Sequence, residues 1–434
     1  MIYFDLTDLV EFSRYSNNVS GIQRVIMNVA AEIEHEPETR FIYRNQIDGK
    51  FYEISDLKIS DSKDLTRLKK YNNWKNCNCS LNIAVKLGKG KKLRKKIKIY
   101  GRCFISKIIH LFRGAGNKYQ TDFSPKSGDF IAIFSIPKGM ASYKQLYSDF
   151  KDVKFVYFFH DIIPVRTPEF ALKPETDNFV NYIKLMNSTA SLILTSASFN
   201  VADYKKYIKD TFKEETQYPV KAIGLPVDFD IQYTTDDYGV MSPISRRLQW
   251  YNYCLCVGTI GPRKNHFELL QAWKKFYESD EYNNQLLVIA GAPWETASDI
   301  VDILHSHFCG GSVVFIESPC DKELSYLYDK CKFTVYLSLY EGWGLPVSES
   351  ISIGKPAVII NETTLPEAGY GVANIVRTRN LKDMQNEISR LFNDKDYYKS
   401  SVNKVLSAKK SFPTWASFAK RVISLNWAGK IRSR

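Results

Sequence analysis

The sequence predicts an α/β protein with two domains, each built around a mostly parallel sheet. The chain has 434 residues, which is more than one hydrophobic core usually serves. Short apolar runs rich in β-branched and aromatic residues alternate with amphipathic stretches along most of the chain. Several of these runs end in glycine-containing turns, where open parallel sheets bind their ligands.

In the first half of the chain, the strand and helix patterns are interrupted once. Strands are predicted at residues 2–6, 130–134, 154–159 and 191–196. Gly21 begins a turn that leads into an amphipathic helix over residues 25–33. Between residues 48 and 122 the periodicity weakens and lysines dominate, which indicates an insertion within the first domain.

The second half repeats the pattern without interruption. Its predicted strands are residues 253–257, 286–291, 313–316, 333–337 and 357–360. Helical patterns begin at residues 267 and 324, and a last amphipathic helix follows residue 412.

The stretch from Ser338 to Glu349 predicts a ligand site. Gly342 and Gly344 allow a tight turn and a close approach of the backbone to a ligand. Pro346 suits the first position of a helix, whose free N–H groups and dipole favour an anion. Glu341 and Glu349 flank this anion site, where carboxylates suit the hydroxyls of a sugar and a ribose. We therefore expect a nucleotide-sugar site.

Two further loops carry candidate site residues. Arg263 and Lys264 are adjacent cations before a helix and suit a diphosphate, although two solvated cations would also fit. His160 follows a strand at the edge where open sheets bind ligands, and a structural histidine in a turn is the alternative. Asp161 fits either the site or a cap on backbone N–H groups.

The run Glu-Gly-Trp-Gly-Leu-Pro between Glu341 and Glu349 resembles family 4 of the retaining glycosyltransferases, as do the Gly-Lys-Pro from Gly354 and the Leu-Pro-Glu ending at Glu367. The resemblance implies the GT-B fold, with two Rossmann-like domains facing each other across a cleft. It divides the chain into an acceptor domain at 1–230 with a basic insertion at about 48–122, a nucleotide-sugar donor domain at 231–412, and a helix at 413–434 that returns to the first domain.

The same resemblance assigns roles to individual residues. The catalytic residues that it implies are His160, Arg263, Lys264 and Glu341. The donor-binding residues that it implies are Gly21, Thr259, Arg263, Lys264, Ile316, Gly342, Trp343, Gly344, Leu345 and Glu349. Gly21 is a single glycine where two are common in the family, and Thr259 stands where some members have arginine. The segment 368–371 also departs from the family pattern.

The sequence predicts neither a metal nor a bound cofactor. Asp228 and Asp230 form an Asp-x-Asp motif, but no histidine or glutamate nearby completes a shell for a hard metal. The eight cysteines show no disulfide rhythm, and the beginning of the chain does not resemble a signal peptide. Since no run of about 18 apolar residues occurs either, we expect a cytoplasmic protein.

The net charge of +13 is concentrated in one tract. Residues 86–118 contain twelve Lys or Arg and no acidic residue, so the remainder is close to neutral at +1. Within this tract, residues 104–112 have apolar side chains at helical spacing beside cations, as in helices that lie on anionic membranes. The alternatives are a solvated basic loop and a nucleic-acid site, but aromatic residues that stack on bases are sparse here.

The expected function is transfer of a hexose from a nucleotide sugar to a hydroxyl, with retention of the anomeric configuration. Among the family members, those that use GDP-mannose are the most similar, and UDP- or dTDP-sugars are the alternative donors. The basic tract favours a lipid-linked oligosaccharide acceptor at the cytoplasmic face of a bacterial inner membrane, in lipopolysaccharide O-antigen or capsule biosynthesis. A GT-B epimerase or phosphorylase, and a non-catalytic nucleic-acid-binding protein, remain as other classes.

Overall fold

The structure is a computed structural model of the 434-residue chain. It describes residues 1–13, 21–46, 48–54, 120–137, 139–170, 173–229, 231–294, 297–377, 379–426 and 430–431, together with the single residues 57, 59 and 68. The basic tract at 86–118, and most of the expected insertion at 48–122, lie outside these residues.

The strands of the described residues form two large sheets and one small hairpin. They are β1 Ile2–Asp5, β2 Thr39–Arg44, β3 Phe51–Ile54, β4 Gln120–Asp122, β5 Phe130–Ile133, β6 Lys154–Phe159, β7 Ala190–Thr195, β8 Val220–Ala222, β9 Tyr253–Val257, β10 Leu286–Gly291, β11 Val313–Glu317, β12 Phe333–Tyr336, β13 Ala357–Ile360, β14 Asn374–Val376, β15 Leu425–Asn426 and β16 Lys430–Ile431.

The helices alternate with the strands along most of the described chain. They are α1 Thr7–Phe12, α2 Gly21–Ile33, α3 Met140–Asp149, α4 Ile163–Arg166, α5 Lys173–Thr189, α6 Ser198–Phe212, α7 Pro243–Arg247, α8 His266–Tyr277, α9 Ser298–His305, α10 Asp321–Lys330, α11 Leu345–Ser352, α12 Leu365–Ala368, α13 Leu381–Asn393, α14 Lys395–Ala408 and α15 Trp415–Ser424.

The first sheet has eight strands in the order β4-β3-β2-β1-β5-β6-β7-β8. The pairs β1/β2, β1/β5 and β5/β6 are parallel, whereas β2/β3 and β3/β4 are antiparallel. Strands β3 and β4 lie inside the stretch 48–122, so both ends of the expected insertion continue the sheet. Both strands are short and lie at one edge of the sheet. Their sequences therefore show too little alternation of apolar and polar residues to predict strands.

The second sheet has six strands in the order β11-β10-β9-β12-β13-β14. All of its pairs are parallel. From β9, the chain adds β10 and β11 on one side of the sheet, and then adds β12, β13 and β14 on the other side. This is the 3-2-1-4-5-6 strand order of dinucleotide-binding folds. The order reverses between β9 and β12, and sheets of this kind bind ligands at that reversal.

The core of the second sheet explains why its strands were predictable. Every residue of β12 and β13 is buried, as expected for central parallel strands that are covered on both faces. Helix α8 buries Leu269, Leu270, Trp273 and Phe276, which recur at helical spacing. The Trp273 ring makes edge contacts with Phe276 and with Phe392 of α13.

The chain forms two compact units. The first consists of Met1–Phe158, Val180–Ile193 and Ile423–Arg434, and the second of Phe159–Phe179 and Leu194–Val422. Over the residues described, no helix combines the length and the apolar character needed to cross a bilayer.

The predicted fold class is confirmed, since the chain is an α/β protein with one mostly parallel and one fully parallel large sheet. The predicted strands recur within one or two residues of their expected bounds. Some helix starts differ from those expected: α2 begins at Gly21, where a turn was predicted before residue 25, and α10 begins at Asp321 instead of residue 324. Helix α8 begins at His266, and Pro346 occupies the second position of α11.

Candidate active site

The candidate site is built from the loops that follow β9 and β12 at the reversal of the second sheet. The loop after β9 ends in a single 3₁₀ turn, Pro262–Lys264, which presents both cations before α8 begins. The loop after β12 contains Ser338 and Leu339. The carbonyl of Arg263 accepts a hydrogen bond from the Leu339 N–H at 3.0 Å, and Ser338 Oγ lies 3.2 Å from the same carbonyl oxygen. The backbones of the two loops are therefore joined directly.

Glu341 lies at the centre of the site and is 7% exposed. Its Oε1 accepts hydrogen bonds from Arg263 Nη1 at 2.9 Å and from Lys264 Nζ at 2.5 Å. Ser338 Oγ and the Tyr336 hydroxyl donate to the same oxygen at 2.5 and 3.0 Å. Among the described residues, these hydrogen bonds all reach Oε1 and none reaches Oε2 of Glu341.

The charges in this cluster depend on one another. Burial by itself would raise the pKa of Glu341, but the charges of Lys264 and Arg263 outweigh it and lower the pKa to about 2. Burial lowers the pKa of Lys264, and Glu341 opposes that shift. Burial would also lower the pKa of Arg263, but the negative charges around it, mainly that of Glu341, raise its pKa overall. With Glu341 ionised beside two cations, the cluster carries one excess positive charge.

Two glycines shape the loop between Glu341 and α11. A Cβ atom at Gly342 would lie 2.5 Å from Asp161 Oδ2 and 2.9 Å from the carbonyl oxygen of His160, so only glycine fits there. Gly344 has a φ of 106°, a left-handed conformation that L side chains rarely adopt. The chain turns at Gly344 into α11, whose first N–H groups follow the loop.

The turn also places the other residues of the predicted motif. Trp343 is buried, and its Nε1 donates to Ser348 Oγ at 2.9 Å. Leu345 is half-buried at the first position of α11. Glu349 is 7% exposed, and its Oε2 accepts a hydrogen bond from the Tyr328 hydroxyl at 2.8 Å.

His160 and Asp161 follow β6 and lie against Gly342. The His160 carbonyl accepts a hydrogen bond from Asn200 Nδ2 at 3.0 Å. Asp161 Oδ1 accepts from the Ile163 N–H at 3.0 Å, which is the backbone cap considered in the sequence analysis. Desolvation raises the pKa of Asp161 to about 6, against the lowering effect of that hydrogen bond and of Arg263.

The remaining predicted residues lie in three different elements. Thr259 is exposed in the loop after β9. Ile316 is 3% exposed in β11, where its side chain packs in the core of the second sheet. Gly21 is the first residue of α2, in the first unit.

Several polar residues of the site have no role in the sequence analysis. Tyr336 and Ser338 both donate to Glu341, and the Thr364 hydroxyl donates to the Glu341 carbonyl at 3.1 Å. Tyr336 could have been found as a polar aromatic residue at the end of a buried strand. Asn200 contacts the site region through tertiary folding, which no local pattern signals, whereas Glu367 ends the Leu-Pro-Glu run noted in the sequence.

The described residues contain no group of three or more His, Cys, Asp or Glu side chains that could hold a metal ion. Asp228 Oδ2 instead accepts a hydrogen bond from the Trp415 N–H at 3.3 Å. The independence of the reaction from a metal stays a prediction.

The fold is that of the GT-B glycosyltransferases. Residues 243–405 match the family model described as glycosyl transferases group 1, which covers both loops of the candidate site. Two solved structures superimpose on nearly the whole chain at 13% identity. Anabaena HepE in complex with UDP and glucose gives a TM-score of 0.57 over 97% of this chain and 98% of that one. Sucrose-phosphate synthase from Thermosynechococcus elongatus gives 0.60 over 98% and 97%.

Curated relatives match part of the chain. The O-antigen chain mannosyltransferase B of Escherichia coli is 28% identical over 229 residues, which are 52% of this chain and 57% of that protein. The serotype-specific mannosyltransferase WbdA of Escherichia coli is 22% identical over 206 residues, which are 46% of this chain and 25% of that protein. The chain therefore spans little more than half of the first relative and a quarter of the second. These similarities support a GT-B glycosyltransferase.

Proposed function

We propose that the protein is a retaining glycosyltransferase of family 4 that transfers a hexose from a nucleotide sugar to a hydroxyl group. The observation that carries this proposal is the cluster of Arg263, Lys264 and Glu341 at the reversal of the second sheet. Two partly buried cations share one hydrogen-bonded carboxylate there, at a place where such folds bind nucleotides. A nucleotide diphosphate supplies the opposite charge.

Arg263 and Lys264 have capacity to bind the diphosphate. Among the described contacts, Arg263 uses Nη1 for both the Tyr340 carbonyl and Glu341, so its other N–H groups remain for phosphate oxygens. Lys264 adds a compact charge beside them. The first N–H groups of α11 lie after the same loop and add donors without a charge.

The cations lower the barrier by binding charge that develops during the reaction. When the glycosidic bond of the donor breaks, negative charge accumulates on the β-phosphate, and fixed cations stabilise that state more than the ground state. We infer attack of the acceptor from the same face as the leaving phosphate, which takes the proton of the acceptor hydroxyl. Because protein cations supply the charge, we expect turnover to persist in EDTA.

The carboxylates bind the hydroxyls on either side of the diphosphate. Glu341 is held through Oε1, so Oε2 is the oxygen that we assign to a hydroxyl of the transferred sugar. Glu349 is assigned to the ribose hydroxyls and His160 to the sugar, as the family resemblance implies. Thr259, Ile316, Trp343 and the N–H groups at Leu345 complete the proposed donor site.

The proposed donor is GDP-mannose, and the proposed acceptor is a lipid-linked oligosaccharide of bacterial O-antigen or capsule biosynthesis. The names of both curated relatives support mannose, and the name of the first also supports O-antigen. The basic tract at 86–118 supports a peripheral protein at the cytoplasmic face of the inner membrane. UDP- and dTDP-sugars are the alternative donors.

A donor panel tests the proposal. The purified protein is incubated with GDP-mannose, UDP-glucose or dTDP-glucose, with and without a lipid-linked oligosaccharide extract, in buffer with EDTA. We expect acceptor-dependent release of GDP, and NMR of the product should show an α-linked mannose from the α-configured donor. An inverted product contradicts retention. Donor consumption that needs only free phosphate, or no acceptor at all, would instead identify a phosphorylase or an epimerase.

A further inference from the structure

A single buried amide joins the two backbone segments of the candidate site. Asn200 lies in the first turn of α6 and is 2% exposed. Its Nδ2 donates to the carbonyl of His160 at 3.0 Å and to the carbonyl of Gly342 at 2.7 Å. Ser196 Oγ donates to the same Gly342 carbonyl at 2.5 Å. The peptide between Gly342 and Trp343 is therefore fixed in orientation by two buried donors.

A second anchor lies on the other side of Glu341. The hydroxyl of Tyr340 donates to Asp203 Oδ2 on α6. Asp203 is held in place by Arg166, whose Nε donates to Oδ1 at 2.9 Å. The Tyr340 ring also makes an edge contact with Phe199, with 5.8 Å between the ring centroids.

Helix α6 is itself held by the segment that follows the candidate site. The carboxylate of Glu367 accepts hydrogen bonds from the N–H groups of Ser198 at 2.8 Å and Phe199 at 3.0 Å, which caps the first turn of α6. Three residues before Glu367, the Thr364 hydroxyl donates to the Trp343 carbonyl at 2.8 Å. The loop and the helix are thus connected at three separate points.

These contacts have a common consequence for Glu341. Residues 340 and 342 are anchored on α6, while the side chain between them reaches the two cations. We propose that Asn200, Asp203 and Tyr340 are positioning residues, which hold the loop so that the Glu341 carboxylate stays on Arg263 and Lys264 in the geometry of the reacting complex. This inference rests on the proposed function, because it takes Glu341 to contact the transferred sugar during the reaction.

The test compares two tyrosine hydroxyls: that of Tyr340, which contacts α6, and that of Tyr204, which belongs to α6. Tyr340→Phe removes the contact with Asp203 and keeps the ring on Phe199. Tyr204→Phe is the matched control, since it removes a hydroxyl that pairs with the Tyr218 hydroxyl at 2.8 Å. We expect Tyr340→Phe to lower kcat about 10-fold or more, with the donor KM changed less than about 2-fold and the thermal midpoint close to that of the control. Asp203→Asn, which keeps an acceptor oxygen, should retain more activity than Asp203→Ala.

Equal kcat values for the two phenylalanine variants would overturn the positioning role, as would a loss explained entirely by a smaller folded fraction. Hydrogen exchange of the backbone at residues 338–345 gives a second readout that does not need activity. Exchange should accelerate in Tyr340→Phe and stay unchanged in Tyr204→Phe, and equal exchange contradicts the proposal. If the wild-type protein consumes no nucleotide sugar, the proposed function fails, and the exchange experiment still decides the positioning role.

Discussion

At the scale of single residues, two neighbouring carboxyls of the site have opposite electrostatic environments. Burial acts on both Glu341 and Asp161, but Glu341 accepts direct hydrogen bonds from Lys264 and Arg263. Its pKa is therefore lowered to about 2, whereas that of Asp161 is raised to about 6. Groups with perturbed pKa values cluster at functional sites, so this contrast supports a ligand site around Gly342.

Glu341→Gln should lower the free energy of unfolding at pH 7 by about 3 kcal/mol, because it leaves two partly buried cations without their counter-charge. The folded pKa of Glu341, about 2, lies below its usual 4.5. The stabilisation is therefore present above about pH 4.5 and is lost as the pH falls towards 2. Urea denaturation from pH 2 to 7 should show that wild type and variant converge at low pH. A constant difference contradicts the charge assignment.

Asp161→Asn should have the opposite effect. The folded pKa is raised from 3.8 to about 6, so ionisation of Asp161 destabilises the fold as the pH rises through this range. The variant keeps an oxygen that can accept from the Ile163 N–H. We expect its thermal midpoint to exceed that of wild type by about 1–3 °C at pH 7.5, and to match it near pH 4. A midpoint that is lower at pH 7.5 would show that the negative charge of Asp161 is stabilising.

At the scale of elements, the site depends on how the turn after β12 meets neighbouring segments. Gly342 packs directly against the peptide that follows β6, and Gly344 turns the chain into α11. The loop after β9 is fixed to the same turn through the carbonyl of Arg263. The segments after β6 and β9 therefore both meet this turn, so we expect the turn to tolerate little change in volume.

Gly342→Ala should lower the free energy of unfolding by about 1–3 kcal/mol, which is the usual cost of overpacking. The added methyl group would lie 2.5 Å from Asp161 Oδ2, so the loop has to move and donor turnover should fall with it. Gly239→Ala is the matched control, because no atom lies within 4 Å of its added Cβ. Denaturant titration and turnover of both variants decide the point. Equal behaviour of the two alanine variants would show that the loop adapts at no cost.

At the scale of the whole molecule, nearly all of the net positive charge lies in one segment of the sequence. The tract at 86–118 carries twelve cations, and the remainder of the chain is nearly neutral. Long-range attraction to an anionic surface therefore depends on one segment of the sequence, and it should weaken as salt screens it.

Deletion of residues 86–118 should abolish most of the binding to vesicles that contain phosphatidylglycerol. We expect the intact protein to co-sediment with such vesicles at low salt and to dissociate as NaCl is added, whereas vesicles of phosphatidylcholine alone should bind little. Turnover of the nucleotide sugar with a soluble acceptor should remain, which controls for folding. Unchanged binding after the deletion would assign the tract another role.

The sequence was sufficient for the central strands and for the charged groups of the site, and insufficient for what connects them. The apolar runs of β9 and β12 predict buried strands, and the glycines Gly342 and Gly344 predict a tight turn, from local sequence alone. The pairing of Tyr340 with Asp203 joins residues 137 positions apart. Such contacts arise only from tertiary packing. By contrast, the burial of Ile316 agrees with the strand predicted at residues 313–316.

The central claim is that Arg263 and Lys264 bind the diphosphate of a nucleotide sugar. The direct measurement is a calorimetric titration of wild type, Lys264→Ala and the exposed control Lys275→Ala with GDP and with GMP. We expect Lys264→Ala to weaken GDP binding about 10- to 100-fold, the scale of a lost hydrogen bond between charged groups, and to lower kcat/KM by about 10²-fold or more. GMP binding should change little, and Lys275→Ala should behave as wild type. Unchanged GDP affinity in Lys264→Ala, or an equal loss for GDP and GMP, would contradict the account.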